Sequence, residues 1–223
     1  MDKYDGSRLG QGDFSGFLVQ AYMGDGSRLG SLEWAPYLYR AYLDLCRTLR
    51  GFGKLADKES RLQASAQYLE QRISQLAASP PASPARFDTW HATTCAGLEA
   101  RMRTWPEGGA MHRGQSQKWV NMSLKYLFTA LALGLVPDFA GAASSYRYAH
   151  LPLDRYVLTG LAIDGCDAAK GWSDSWSTLD SRSYEAIQEW CRCRETAPLD
   201  LDWVYWSRRS GVPLTSASRT AVS

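Results

Sequence analysis

The chain has 223 residues, 45% of them apolar, enough to bury a sizeable core in one large domain or two intimately packed parts. Its 25 Lys and Arg face 23 Asp and Glu, so a net charge of +2 neither demands nor forbids a polyanionic partner, and only local clustering can argue for one. No stretch approaches the ~20 continuous apolar residues of a membrane span, and MDKYDGSRLG has no signal-peptide core, so a soluble cytoplasmic protein with no membrane partner is expected.

The word DGSRLG occurs at 5–10 and again at 25–30, reading as two similar turns that flank one helix in FSGFLVQAYM. SLEWAPYLYRAYLDLCRTLRGF, from Ser31 to Phe52, has helical apolar spacing and ends in Arg and Gly. A second helix is expected from Ala56 to Leu76, burying Leu62, Tyr68, Leu69, Ile73 and Leu76. The prolines of AASPPASPAR break any regular element, and a third helix follows from Phe87 to Met102. WPEGGAMHRGQ reads as a Gly-rich loop carrying Arg113. Ser116 to Leu135 is the clearest helix, free of Gly and Pro until Gly134.

VPDFAGAASSYRYAHLP reads as loop or short turns, and Asp154 as the cap of a helix running to Ile163. GWSDSWS is loop, Ser181 or Ser183 caps a helix through Arg194, and LDLDWVYWSRR forms the last helix, with Trp203 and Trp206 as core anchors. WCRCRE reads as helix surface with Trp190 turned inward. No segment alternates like a strand, so the class is mostly α. The organisation expected is an N-terminal helical region over residues 1–78, a Pro-rich linker over 79–86, a second helical region over 87–209 and a flexible tail over 210–223, the two helical regions packing as one unit.

Two constellations can carry chemistry. In GQSQKWVNMSLKYLF, Gln115, Lys118, Asn121 or Met122, and Lys125 recur at helical spacing, leaving Val120, Leu124, Leu127 and Leu131 for the core. The bland alternative is a solvated lysine face. Trp119, Tyr126 and the nearby Arg113 add surface that can hold a base or a phosphate. In YAHLPLDRYVL, Pro152 disfavours helix at Leu151 and places Asp154 at a helix start, flanked by His150 and Arg155. A cap worth about 1 kcal/mol explains that carboxylate completely, yet the same pose suits an acid facing a cleft.

Absences narrow the choice. Walker A, GxGxxG, GxSxG and HExxH sequences are lacking, which removes support for the chemistry each carries. Cys46, Cys95, Cys166, Cys191 and Cys193 form an odd set without CxxC spacing, and His91, His112 and His150 are scattered, so neither a disulfide framework nor a metal site is expected. Asp164, Asp167 and Asp174 match no calcium loop and read as a solvated loop.

HLPLDRYVL resembles the segment that carries the catalytic aspartate in the helix-hairpin-helix DNA glycosylase superfamily. There a short apolar stretch containing Pro delivers an Asp to the start of a helix. LGLVPDFAGAASS departs from that family's glycine hairpin. No Lys lies between Tyr126 and Asp154, so the resemblance implies a monofunctional, hydrolytic enzyme. Together, QKWVNMSLKYL and HLPLD further resemble antiphage glycosylases acting on hypermodified phage bases.

The resemblance implies a compact helical glycosylase-like fold with a central cleft and double-stranded phage DNA as partner. It also implies a flipped modified base as substrate, such as glucosylated hydroxymethylcytosine, and an abasic product. No cofactor is expected. Asp154 is then the catalytic carboxylate. Trp119, Asn121, His150, Trp172 and Trp176 are the base-binding candidates, and Arg113, Gln115, Lys118, Lys125 and Arg155 the DNA-binding ones. The alternative is a non-catalytic helical nucleic-acid-binding or adaptor protein in which Asp154 only caps. A helical ribonuclease of toxin type fits less well, because RYAH brings Arg147 and His150 too close together.

Overall fold

The computed structural model describes residue 16 and residues 19–105, 109–195 and 197–211. The first DGSRLG copy and the tail beyond residue 211 lie outside the described residues. Those described are mostly helical and contain no strand, only an isolated bridge between Trp105 and Gly109. No single helix among them is long and apolar enough to cross a membrane.

Residues 19–23 are helical and lead into the second DGSRLG copy, a turn in which Asp25 Oδ1 accepts the Ser27 N–H at 2.9 Å. Helix α1, Ala35–Leu43, is shorter than its apolar spacing predicts. The chain leaves the helix after Leu43 and passes through short 3-10 turns at Cys46–Thr48 and Phe52–Lys54. Leu45, Leu49 and Phe52 are all buried along this detour. Helix α2, Lys58–Ala78, buries Leu62, Leu69, Ile73 and Leu76 as its stripe requires. Tyr68 instead lies half-buried beneath the Arg101 guanidinium, 3.8 Å away.

Helix α3, Pro84–Arg101, begins earlier than expected, because Ser83 accepts the Arg86 N–H and Pro84 occupies the first turn, where its missing N–H costs nothing. The break between α2 and α3 is correspondingly short. Helix α4, Arg113–Ala132, starts with a capping box in which His112 and Gln115 satisfy each other's ends. The segment expected as loop, Pro137–Tyr148, is a run of 3-10 helix that buries Phe139 and Ala142. Helix α5, Arg155–Ile163, follows Asp154 as the sequence predicts. Helix α6, Ser181–Arg192, is capped by Asp180, whose carboxylate outcompetes the neighbouring serines for the Ser183 N–H. Its buried face is Tyr184, Ile187, Gln188 and Cys191, so Cys191 rather than Trp190 points inward. Helix α7, Asp200–Ser210, ends the described chain.

The core forms two clusters. The larger runs from Leu29 to Ala149 and takes in Leu199, so residues before and after the Pro-rich break share one interior. The smaller joins Leu151, Leu153, α5, α6 and α7. Helix α4 packs against α1, α3, α6 and the 3-10 segments Pro137–Tyr148 and Trp176–Thr178. It is buried almost all round from Gly114 to Phe128, polar side chains included. The expected solvated or DNA-facing lysine stripe is therefore an interior surface.

At the start of α4 the packing leaves no room for a side chain. A Cβ on Gly114 would stand 1.9 Å from the Trp176 carbonyl oxygen, and the Gly114 N–H donates to the Leu179 carbonyl at 3.1 Å. Gly114→Ala should therefore cost about 3 kcal/mol, read as a lowered urea midpoint with unchanged slope. A shift under about 0.5 kcal/mol would contradict this packing.

Candidate active-site cleft

Along α4, residues 118, 122, 125, 126 and 129 fall at helical repeats and line a cleft of about 890 Å³. Lys118, Met122, Lys125 and Tyr126 form its floor. Arg40 of α1 and Asp44, which follows it, also line the cleft, with Asp154 and Tyr156 at the start of α5 and Asp202, Trp203 and Trp206 of α7. The cleft lies along the seam between the two core clusters.

Two lysines spaced by seven positions meet two carboxylates, each at the N-terminal end of a helix. Lys118 Nζ donates to Asp154 Oδ2 at 2.7 Å, and Lys125 Nζ donates to Asp202 in the first turn of α7. Asp154 Oδ1 meanwhile accepts the N–H groups of Tyr156 and Val157 at 2.9 and 3.0 Å. One carboxylate thus caps α5 and faces the cleft at once, using a different oxygen for each task. Burial opposes its charge, but the Lys118 ammonium and the backbone N–H bonds outweigh that and hold Asp154 below its ordinary value of 3.8. Burial also opposes the charge on Lys118, and the carboxylates of Asp154, Asp202 and Asp44 overcome it, raising Lys118 above 10.5. Both groups stay ionised across the neutral range.

A third carboxylate, Asp44, accepts the Tyr126 hydroxyl at 2.7 Å and pairs with Arg40 at 3.2 Å. Burial and then the Asp44 charge keep the Tyr126 phenol protonated. At the mouth stand Tyr156 and Trp206, 53% and 48% exposed, with the Arg209 guanidinium 3.6 Å above the Tyr156 ring. Exposed rings beside arginine offer stacking and phosphate contacts together.

Behind Asp154 the extended stretch Leu151–Leu153 is held by two buried glutamines. Gln117 donates to the Leu153 carbonyl at 2.8 Å and accepts the Leu153 N–H at 3.1 Å. Gln188 does the same for Leu151, at 2.8 and 3.0 Å. Each side-chain amide substitutes for a neighbouring strand, so the segment entering Asp154 is fixed without a sheet.

Gln117 also accepts from Asn121 at 3.1 Å, joining a buried network. Asp88 can only accept, so His150 carries its proton on Nε2, and its Nδ1 accepts from the Tyr184 hydroxyl at 2.8 Å. The Tyr184 oxygen accepts from Asn121 at 3.0 Å, and His91 Nε2 donates to the Asn121 oxygen at 2.9 Å. Burial first, then neighbouring positive charge, drives His91 well below 6.5; burial also lowers His150 despite Asp88.

The residues singled out by sequence therefore separate. Asp154, Lys118 and Lys125 line the cleft, but both lysines are paired with carboxylates and are not spread on an open DNA-binding face. Trp119 is fully buried and donates its indole N–H to the Leu38 carbonyl, so it is a core residue and offers no face to a base. Asn121 and His150 belong to the buried network on the other flank of α4. Trp172 and Trp176 pack half-buried on the core clusters away from the cleft lining.

Gln115 caps α4 and donates to the Thr48 carbonyl, and Arg113 pairs with Glu99 at 2.8 Å, which commits both to the interior. Arg155 is exposed beside Asp174. Asp164 and Asp167 pair separately, with Arg208 and Lys170. Tyr126, expected as aromatic surface beside the lysines, does line the cleft; Trp203 and Trp206, expected as core anchors, line it as well, and sequence reasoning missed Asp44 and Asp202. The signal available for Trp203 and Trp206 was their position in an arginine-ended helix.

The chain matches no protein-family model, no curated protein and no solved structure.

Two outcomes follow from this geometry. Asp154→Asn keeps the cap but strands the Lys118 ammonium, whose side chain is 6% exposed. It should cost about 2–3 kcal/mol, less than for a fully enclosed pair because the carboxylate is 28% exposed. The double variant Lys118→Met, Asp154→Asn should melt above Asp154→Asn alone; a double variant less stable than the single would refute the stranded-charge account. The histidines set the second outcome. Below 6.5 the unfolded chain takes up protons that buried His91 and His150 do not, so stability falls with pH. The urea midpoint should drop between about pH 7 and pH 5, and a flat or rising midpoint contradicts the neutral pair.

Proposed function

We propose that the chain is a DNA N-glycosylase that hydrolyses the bond between deoxyribose and a modified base, leaving an abasic site. The α4 cleft serves as the base pocket of a compact, glycosylase-like helical fold. The single observation that carries this reading is a carboxylate, Asp154, kept ionised by Lys118 and two backbone N–H groups on the wall of a cleft bordered by aromatic rings.

Cleaving an N-glycosidic bond builds positive charge at the sugar, and a fixed anion stabilises that charge more in the transition state than in the ground state. In the hydrolytic step the C1′–N bond breaks with its electron pair going to the base. A water oxygen, oriented by Asp154, bonds to C1′, and its released proton passes to solvent or to the departing base. Tyr126 and Trp203 flank the base, while Arg47 and Arg209, which also line the cleft, hold phosphates, and the exposed Arg155 holds one further along the strand. Tyr156 and Trp206 stack on neighbouring bases and return the cost of flipping. A cleft of about 890 Å³ lies at the upper end of the range for drug-sized ligands, which favours an enlarged base of the kind found in phage DNA and hence a role in antiphage defence.

A second reading of the same site arises from the 2.7 Å contact itself. If Asp154 accepts the Lys118 proton when a nucleotide enters, the freed amine attacks C1′ in place of water and displaces the base, which leaves with the C1′–N electron pair; the C1′–O4′ bond of the aminal then opens, O4′ taking up a proton, to give a Schiff base. The raised affinity of Lys118 for its proton favours the hydrolytic route.

The test incubates the protein with duplex DNA carrying modified or ordinary pyrimidines, followed by alkali. Strand cleavage on modified DNA is expected, falling at least about 100-fold in Asp154→Asn. A borohydride-trapped adduct that Lys118→Met removes would select the amine route. Salt-dependent binding with strands intact on every substrate would select a non-catalytic nucleic-acid-binding protein instead.

A further inference from the structure

A second cavity, of about 410 Å³, adjoins the cleft and shares Lys125, Thr129 and Trp203 with it. Phe128 and Leu131 of α4, Tyr146 of the 3-10 segment and Leu199 form its other principal walls. Its polar side chains are committed. The Tyr146 hydroxyl donates to Asp200 at 2.6 Å, the Thr129 hydroxyl to the Lys125 carbonyl at 2.8 Å, and the Lys125 ammonium to Asp202. What remains facing the space is ring and methyl surface: Phe128 meets Tyr146 edge-on at 5.2 Å, and Trp203 lies 4.1 Å from Lys125 Nζ at the partition with the cleft.

We propose that this side chamber receives a flat, apolar aromatic group, one arm of a molecule whose polar part occupies the cleft. The chemistry of the walls decides the class. The hydroxyls of a sugar would find no uncommitted polar side chain on these walls, whereas an aromatic ring needs none and gains stacking on Trp203. A charged ligand would find no uncommitted polar side chain on these walls. The Lys125 ammonium, already over Trp203 and tied to Asp202, marks the boundary at which the ligand changes from polar to apolar. On the glycosylase reading, on which only this last identification rests, the arm is an aromatic substituent of the base; polar substituents stay in the charged cleft.

The chamber can be tested without any activity. Indole is titrated into the protein while the side-chain NMR signals of Trp203, Phe128 and Tyr146 are followed, with glucose as the polar control. Indole should shift these signals at about millimolar concentration, and glucose should not. Ala143 is an exposed wall residue outside the catalytic machinery, so Ala143→Phe fills the space and should weaken indole at least about tenfold, as should Ala132→Phe from the opposite wall. Equal indole binding by the wild type and both filled variants, shifts confined to Tyr156 and Trp206, or equal shifts with glucose would each overturn the proposal.

A second arm uses DNA with a pyrimidine carrying a benzyl group against one carrying a methyl. Ala143→Phe should lower kcat/KM about tenfold for the benzyl substrate alone. If neither DNA releases a base, the glycosylase reading fails while the indole titration still decides the chamber.

Discussion

Everything about the cleft depends on two ammonium groups that are out of water. Lys118 and Lys125 sit on the most buried helix of the molecule, and a buried ammonium is tolerable only with a carboxylate against it. The matching carboxylates, Asp154 and Asp202, are both at helix N-termini, where the partial positive charge of the helix end favours an anion as well. Each acid thus answers a lysine and a helix end together. The two pairs stitch the smaller core cluster onto α4 and fix the directions in which α5 and α7 leave it.

That arrangement explains why the same residue can be both cap and candidate catalyst. A carboxylate needs a fixed position and a stable negative charge to stabilise a developing cation, and Asp154 obtains both from the contacts that begin α5. Gln117 and Gln188 extend the same logic backward along the chain, since the residues leading to Asp154 have no sheet to hold them. The buried Asn121, Tyr184, His91 and His150 network then locks Gln117 in turn. Rigidity is built from the interior outward to the carboxylate.

The two flanks of α4 do different work. One carries Gln117 and Asn121, whose amides face protein on every side, and the other carries Lys118, Met122, Lys125 and Tyr126, which are buried but form the floor of the cleft. Residues one position apart along the helix therefore belong to a structural network and to a ligand cleft respectively. Asn121, which looks in sequence like a base-reading amide beside two lysines, is turned about one hundred degrees away from Met122 by helical geometry alone.

Much of this was legible in the linear chain. The mostly helical class, the long α4, the stripe of α2 and the helix that begins after Asp154 all follow from apolar spacing, Pro and Gly placement and capping chemistry, which act within a few residues. The end of α1 at Leu43 and the 3-10 run at Pro137–Tyr148, along which Leu45, Phe52 and Phe139 are buried, depart from local expectation, and Asp180 rather than a serine caps α6. The site itself was half legible: Asp154 and Lys118 stood out as residue types. Which charges meet was decided only by the tertiary structure, since the Lys118–Asp154 and Lys125–Asp202 contacts span 36 and 77 residues of sequence. Likewise, amphipathic spacing could not say that Trp119 is sealed while Trp203 and Trp206 border the cleft. Periodicity says that a helix has a buried face, and only the packing of other helices against it determines which faces are buried and which one is left open to a ligand.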